Sequence, residues 1–545
     1  MIFETQPFSH QLEGFERFKD ERFFAMFWDM GTGKSKVTID IAAHKFLTKQ
    51  CDRMLVVAPN YVHAQWINEQ FPLHCPVPYN GFVWRTKSTE AYMNDLFRFL
   101  EATSDSSKLH CLAVHLEAFQ YDKIEPVLRR FMSGHSTFVT VDEASRIKNP
   151  DAKSVKRLSS IVRRHETHRS VLTGTPMAKS PVDVWSLYDF LTPGYIGCTY
   201  TAFKHRHAIM TKRRVELKAK NKTVYVDAVI DERLFTFVKR DIRKIKEQQN
   251  FAPLRYEQHE ELARKSHLNE GDVKLIEESP VFVRFKNVEQ LRIQVSPITS
   301  SVLKKDCLDL PEKQYQEVIL ELPKEYKKIL RDMQKYAVAV YGEKELTIQH
   351  KAALQIRALQ VSGGFFAHLR DSYTGNDVNK YDTVAISGPN PKLDYILNDL
   401  EELGDQQFLV FAVFTDEIEL LSRKLGEAVS IGVLSGATPH SERHDIVERF
   451  KAGELQGVVA NPEVAGYGLN FQNASVQYWY SRNYRTEARL QAEDRSHRIG
   501  IAKSPVYKDL LYDTKFEKQV LASNKEGKHM NDYFKSATVA DLFSI

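Results

Sequence analysis

Met30-Gly31-Thr32-Gly33-Lys34-Ser35 follows directly on the apolar run Phe23-Phe24-Ala25-Met26-Phe27-Trp28. A buried strand that opens into a glycine turn and then a helix aims successive backbone N–H groups, and the helix N-terminus, at an anion. In that frame Lys34 reaches the β- and γ-phosphates of a nucleoside triphosphate, and the Ser35 hydroxyl holds Mg²⁺. More than a hundred residues downstream, a second apolar strand ends in Val139-Thr140-Val141-Asp142-Glu143-Ala144-Ser145. Asp142 is placed to bind the same Mg²⁺, largely through water, and Glu143 to orient or activate the attacking water. The loop departs from the full P-loop spacing, because Trp28 stands where the first glycine would fall. Gly31 must then supply the turn.

These residues need a scaffold, and the chain around them alternates short apolar strands with helical patterns up to about Tyr195. That alternation is the signature of a parallel α/β sheet. Strands are expected at 23–28, 54–58, 109–115, 138–141 and 170–173, each ending where ligand-binding loops gather in open sheets. A second alternation follows, with strands near 407–411, 429–434, 457–460 and 476–479. Two α/β halves with one phosphate loop suggest a nucleotide held in the cleft between them. The expected division is 1–198 for the first lobe, 199–297 for a basic insertion and 298–388 for a helical connector. Residues 389–515 then form the second lobe and 516–545 a C-terminal helical tail. Within the insertion, Arg255–Glu278 reads as a charged helix.

At 545 residues the chain is too long for one ordinary core. Its 42% apolar and 27% charged content is that of a folded protein rather than a disordered one. No apolar run reaches membrane-spanning length, and the N-terminus lacks the pattern of a signal peptide. Five dispersed cysteines, without a CxxC pair, imply reduced thiols rather than a disulfide frame or a zinc site. Metal other than Mg²⁺ is not implied. Net charge is only +5, but Lys204–Lys246 holds 14 Lys and Arg against 5 Asp and Glu. Such concentration is the footprint of a nucleic-acid contact, or else of a solvated charged insertion.

Near the C-terminus, Gln491-Ala492-Glu493-Asp494-Arg495-Ser496-His497-Arg498-Ile499-Gly500 sets Arg495 and Arg498 three residues apart. On one helical face, two guanidinium groups suit bidentate contact with phosphate oxygens. Read alone, the pattern also fits an ordinary surface pairing with Glu493 and Asp494.

The ordered set of motifs resembles the Swi/Snf-type ATPases of helicase superfamily 2. His10-Gln11-Leu12-Glu13-Gly14 resembles the family's adenine-reading glutamine motif, with Gln11 as reader. Asp29 to Ser35 is similar to its glycine loop, which also lacks the first glycine. Leu55-Val56-Val57-Ala58-Pro59 with Gln65-Trp66 resembles motif Ia, and Asp142-Glu143-Ala144-Ser145-Arg146-Ile147-Lys148-Asn149 resembles motif II. Leu172-Thr173-Gly174-Thr175-Pro176 is similar to motif III. In the second half, Leu310 to Lys313, Pro391-Lys392-Leu393, Phe408 to Phe411, Glu463 to Phe471 and the arginine string resemble the later landmarks.

The resemblance implies two RecA-like parallel-sheet lobes with ATP and Mg²⁺ in the inter-lobe cleft, plus the basic insertion. The expected ATP-binding residues are Gln11, Met30, Gly31, Thr32, Gly33, Lys34, Ser35 and Gly468. Ser35 and Asp142 would hold the metal. Lys34, Asp142 and Glu143 would do the chemistry, with Arg495 and Arg498 as the arginine-finger pair. It implies an ATP-dependent motor tracking double-stranded DNA, possible contacts being Asn60, Gln65, Thr173 and Asn470. A strand-separating or branch-migrating helicase on the same engine is the alternative. A protein partner on the basic insertion is also considered, and no membrane. Two departures stand out: Ser145 replaces the usual motif II histidine, and Ile501 a usual glutamine. The absence of an appended module suggests a compact form from the cytoplasm of a bacterial or phage-infected cell.

Overall fold

The computed structural model describes residues 3–60, 62–86, 89–176, 183–219, 222–229, 273–285, 287–336, 338–341, 344–347, 351–369, 381–465, 470–483, 485–498, 501, 503–514, 516–518, 520–522 and 524–525. The first six strands are β1 (Phe23–Trp28), β2 (Arg53–Ala58), β3 (Tyr79–Val83), β4 (Leu109–His115), β5 (Thr137–Asp142) and β6 (Thr167–Leu172). Three more, β7 (Ala208–Ala219), β8 (Lys222–Val229) and β9 (Val273–Phe285), form a small antiparallel sheet in the order β8-β7-β9. β10 (Thr299–Val302) then returns to pair in parallel with β1. The finished first sheet is parallel throughout, in the order β10-β1-β6-β5-β2-β4-β3.

Strands buried on both faces read as near-continuous apolar runs, which is why β1, β2 and β4 are plain in the sequence. Phe24, Met26 and Trp28 pack into one core and Ala25 and Phe27 into the other. β5 and β1 are separated by β6 alone. At about 4.8 Å per strand, the loops after β1 and β5 open roughly 10 Å apart on the same edge. That spacing leaves room for a metal-bound phosphate chain between them.

The stretch expected as a helical connector contains the helices Lys324–Tyr336 and Lys351–Ser362, and strands as well. β10 completes the first sheet and β11 (Gln314–Leu320) starts the second. Two hairpins follow, β12 (Val338–Tyr341) with β13 (Lys344–Thr347) and β14 (Phe365–Leu369) with β15 (Tyr381–Ala385). The second lobe adds β16 (Phe408–Phe411), β17 (Ile431–Leu434), β18 (Gly457–Ala460), β19 (Val476–Trp479) and β20 (Val506–Tyr512). Its order is β11-β20-β19-β16-β18-β17, again all parallel. The molecule is thus an α/β protein of two parallel-sheet lobes.

One expectation in the insertion is corrected. Arg255–Glu278 reads as helix, yet Val273 onward belongs to β9 and pairs with β7. Val, Leu, Ile and Phe recur there at a spacing close to two, and tertiary pairing outweighs the helix-forming charges. Residues 255–272, Gly468 and the tail beyond 525 lie outside the described residues. No helix among the described residues is long and apolar enough to cross a membrane. Among them, no group of His, Cys, Asp and Glu is arranged to hold a metal in the manner of zinc, and all five cysteines are free.

Candidate functional site: a nucleotide cleft between two lobes

The loop after β1 begins one residue later than the full P-loop spacing requires. Trp28 still belongs to the strand: it is fully buried, and its indole N–H donates to Ser300 Oγ on β10 at 2.9 Å. Helix α1 (Ser9–Phe18) crosses at Gly14, where a Cβ would fall 2.4 Å from the Trp28 ring. The turn proper is made by Gly31 and Gly33, at φ +76° and +88°, a region that side chains other than glycine rarely enter. Gly33 caps α2 (Lys34–Leu47), so the N–H groups of Lys34 and Ser35 open the helix toward the cleft.

Gln11 is brought against this loop. Its Nε2 donates to Thr32 O at 3.0 Å, while its Oε1 accepts from Phe8 N at 3.0 Å. His10 Nε2 lies 2.8 Å from the same Thr32 carbonyl, and a Cβ on Gly33 would collide with the Gln11 amide. Thr32 closes the turn by donating from Oγ1 to Asp29 O at 2.7 Å. Lys34 Nζ donates to Trp28 O at 2.9 Å and Asp29 O at 3.1 Å, so its ammonium sits at the centre of the loop. Met30 is nearly buried beneath Gly174.

Asp142 ends β5. Its Oδ2 accepts from the Trp66 indole N–H at 2.9 Å and its Oδ1 from Glu143 N at 2.9 Å. Burial pushes its carboxyl up from the ordinary value, against the pull of Trp66 and Lys34. Glu143 stands in the left-handed region at φ +49°, which is uncommon for a side-chain-bearing residue and costs about 1 kcal/mol or more. Burial, and then the Asp142 charge beside it, push the Glu143 carboxyl up to about 7. Its Oε2 is buried without a hydrogen-bond partner, as suits a group meant to meet water or substrate.

Facing these residues across a cavity of about 720 Å³ are Asn470, Arg495 and Arg498 of the second lobe. The surface reading of the arginine string is overturned, because Glu493 is 1% exposed and both arginines are largely enclosed. Burial and the neighbouring Arg495 push Arg498 down to about 9, and burial also lowers Arg495. The carboxylates of Glu143, Asp494 and Asp142 offset part of the cost of burial at Arg495, and Asp494 does so at Arg498. The arginines do not share a helical face as expected: the helix Thr486–Glu493 ends before them, they follow its C-cap Asp494, and the helix is held to its own lobe. Arg489 makes a bidentate pair with Asp509 of β20 at 2.7 and 2.9 Å, and Lys313 lies 3.2 Å from Glu493 and 3.1 Å from Asp494. Burial alone would raise Asp494, but Lys304 and Lys313 hold it well below the carboxylate range.

Of the expected site residues, Met30, Gly31, Gly33, Lys34, Ser35, Asp142, Glu143, Arg495 and Arg498 line one cavity, while Gln11 lies behind the glycine loop, against the Thr32 carbonyl. Gln65 and Asn470, expected as DNA contacts, line this same cavity. Thr173 is fully buried, its Oγ1 accepting from Thr175 N at 3.0 Å, and so does not face a nucleic-acid groove. Several functional neighbours escape sequence reasoning: Trp66 on Asp142, Lys304 under the glycine loop, and Glu487 opposite motif II. Trp66 had a signal in the Gln65-Trp66 pair, but nothing local says that its indole faces a carboxylate 76 residues away.

An Mg²⁺ ion fits the oxygen donors here. The Ser35 hydroxyl and the Asp142 carboxylate both line the cavity, and each Asp142 oxygen keeps lone-pair capacity beyond its one hydrogen bond.

Residues 25–292 match the family model of the SNF2-related domain, and residues 391–500 that of the helicase conserved C-terminal domain. Among curated relatives, the TATA-binding protein-associated factor mot1 of Schizosaccharomyces pombe is 23% identical over 87% of this chain and 23% of its own length. The putative ATP-dependent helicase/translocase YwqA of Bacillus subtilis is 22% identical over 87% of this chain and 42% of its own. The chain spans less than half the length of either relative. A solved structure, the Sulfolobus solfataricus SWI2/SNF2 ATPase core in complex with dsDNA, aligns with 99% of this chain and 97% of its own, at 18% identity and a TM-score of 0.35. The chain thus carries an SNF2-related domain followed by a helicase conserved C-terminal domain, with the glycine loop and Asp-Glu pair in the first and the paired arginines in the second.

Proposed function

We propose that the chain is an ATP-dependent translocase on double-stranded DNA. The observation that carries this reading is the split cleft: phosphate and metal ligands on the first lobe, arginines on the second. In a split site, hydrolysis requires the lobes to come together, and release lets them part. Lys34 binds the phosphates, Ser35 and Asp142 hold Mg²⁺, Glu143 orients the attacking water, and Arg495 with Arg498 stabilises charge on the transferring phosphoryl group. Bound Mg²⁺ would neutralise charge on the phosphate oxygens.

Each opening and closing becomes a step if the two lobes grip neighbouring stretches of backbone. Phosphate contacts carry no base information, so binding is expected to be sequence-tolerant and salt-sensitive. The concentration of Lys and Arg at 204–246 supports the nucleic-acid reading, as does the likeness to the putative ATP-dependent helicase/translocase of Bacillus subtilis. That same likeness favours a second reading, strand separation on the same engine. The insertion, with its three-stranded sheet, would then hold the wedge or dock a protein partner.

Steady-state ATP hydrolysis with no nucleic acid, covalently closed duplex, single-stranded DNA and RNA, each at two salt concentrations, tests the proposal. Strong stimulation by closed duplex is the expected result. Stimulation by single strands or RNA alone would move the reading to an unwinding enzyme.

A further inference from the structure

Ser145 occupies the buried turn Ala144–Ile147, immediately after the catalytic carboxylates, and its hydroxyl donates across the cleft to Glu487 Oε1 of the second lobe. Lys148, three residues on, brings its Nζ to 3.9 Å from the other oxygen, Glu487 Oε2. Glu487 is the second residue of the helix Thr486–Glu493, and Arg495 follows that helix directly. At the far end of the same helix, Asp494 Oδ1 accepts from Lys304 Nζ at 3.1 Å. The Lys304 backbone N–H in turn donates to Asp29 Oδ2 of the glycine loop at 2.8 Å. The helix that leads into the arginines is thus tied at one end to motif II and at the other to the root of the P-loop.

The first tie depends on the residue at position 145. A serine hydroxyl is too short to span the cleft alone, so the bond exists only when the second lobe brings a carboxylate to it. A hydroxyl donating to an ionised carboxylate is also stronger than a neutral pair. Contacts to a buried partner form all at once or not at all as packed elements close.

We propose that Glu487 is a positioning residue: by bridging to Ser145 and Lys148 it fixes the helix ahead of Arg495 over motif II, so that Arg495 reaches the site of phosphoryl transfer only in the closed cleft. This rests on the reading of the cleft as an ATP-hydrolysing site. Glu487 acts through Arg495 and need touch neither nucleotide nor metal. The bridge forms at the position where this chain has serine and the family pattern has histidine.

The test uses the full chain and the variants Ser145→Ala, Glu487→Ala, Glu487→Gln and the double alanine. Losing a charge-assisted hydrogen bond should lower kcat roughly tenfold in either single alanine variant, with nucleotide KM changed less than about twofold. The double variant should be no slower than the singles, because both remove one interaction. Glu487→Gln keeps an oxygen acceptor for Ser145 and should recover most of the lost rate. Losses that multiply in the double variant, or a Glu487→Ala chain within about twofold of the parent, overturn the proposal. Small-angle scattering with ADP and beryllium fluoride supplies a readout independent of turnover. The parent should compact and Ser145→Ala should compact less; equal compaction overturns the bridge. A parent that compacts but does not hydrolyse ATP would instead sink the ATPase reading and leave the bridge standing on the scattering difference.

Discussion

The indole N–H of Trp66 donates to Asp142 Oδ2 at 2.9 Å, joining the end of β5 to a turn of π-helix at Trp66–Gln70. Single π turns interrupt α-helices where a side chain must be re-aimed, and they gather at functional sites. Pro72, in the helical turn Phe71–His74 that follows, lacks the N–H that would close the α-type bond back to Asn68. The wider turn therefore has a cause in the sequence, and its consequence is a carboxylate held with one oxygen fixed. Trp66→Phe should keep the packing and lose this donor. The Mg²⁺ concentration for half-maximal ATPase activity should rise several-fold, while nucleotide binding in EDTA stays close to the parent's. An unchanged magnesium requirement would show that the bond does not orient the metal ligand.

Lys34 is held within the glycine turn itself, through Trp28 O and Asp29 O. Lys34→Ala should weaken nucleotide binding and lower turnover at least about a hundredfold, the usual scale for losing a charge on the transferring group. DNA-stimulated phosphate release that persists in this variant would sink the site assignment.

Arg495 and Arg498 should differ from Lys34 in what they change. Arg495→Ala is expected to reduce kcat by about a thousandfold with little effect on equilibrium nucleotide binding, because its partner charge develops in the transition state. Arg495→Lys should restore little, since an ammonium cannot offer the planar two-donor fork. Single-turnover kinetics beside a binding isotherm separates the two effects.

Stability should depend on pH through Glu417. Its side chain is fully buried, and its Oε2 accepts from Val413 N and Phe414 N at 3.2 Å and from the Ser481 hydroxyl. Burial nevertheless pushes the carboxyl up to about 7 from an ordinary 4.5. A carboxyl raised on folding binds its proton more tightly in the native state. Its contribution is complete below about pH 4.5 and is lost as pH rises through about 7. Between pH 5 and 8 that loss amounts to roughly 2–3 kcal/mol. Glu417→Gln should abolish this part of the slope, becoming more stable relative to the parent at pH 8 than at pH 5 in urea melts. Parallel curves for the two proteins would refute the assignment.

Neutralising Lys212, Arg213 and Arg214, three consecutive residues of β7, should weaken DNA binding and flatten its salt dependence. If all three meet phosphates, the slope of log K against log salt should fall by about 2–3. A slope identical to the parent's would remove the insertion from the DNA contact.

The elements that carry phosphate chemistry were legible because their physics is local. A strand buried on both faces is mostly apolar: β1 is an unbroken apolar run, and β2 and β4 are apolar over Met54–Ala58 and Cys111–Val114. A turn at positive φ needs glycine, and Gly31 and Gly33 stand there. Edge strands gave weaker signals: β11 exposes most of its length, so no apolar run marks it. Val273–Glu278, the start of β9, reads as helix because its partner, β7, is about sixty residues away and cannot be read from periodicity.

The amino-acid order alone determined that a glycine loop, a strand-terminal Asp-Glu pair and two arginines three residues apart exist, because each is specified within a dozen residues by backbone geometry and residue type. Only the tertiary structure decided what lies between them. Trp66 meets Asp142, Lys304 meets Asp494, and Ser145 meets Glu487 over separations of 76, 190 and 342 residues. Such contacts follow from how two sheets pack across a cleft, and the free energy that selects them is a property of the folded assembly rather than of any segment.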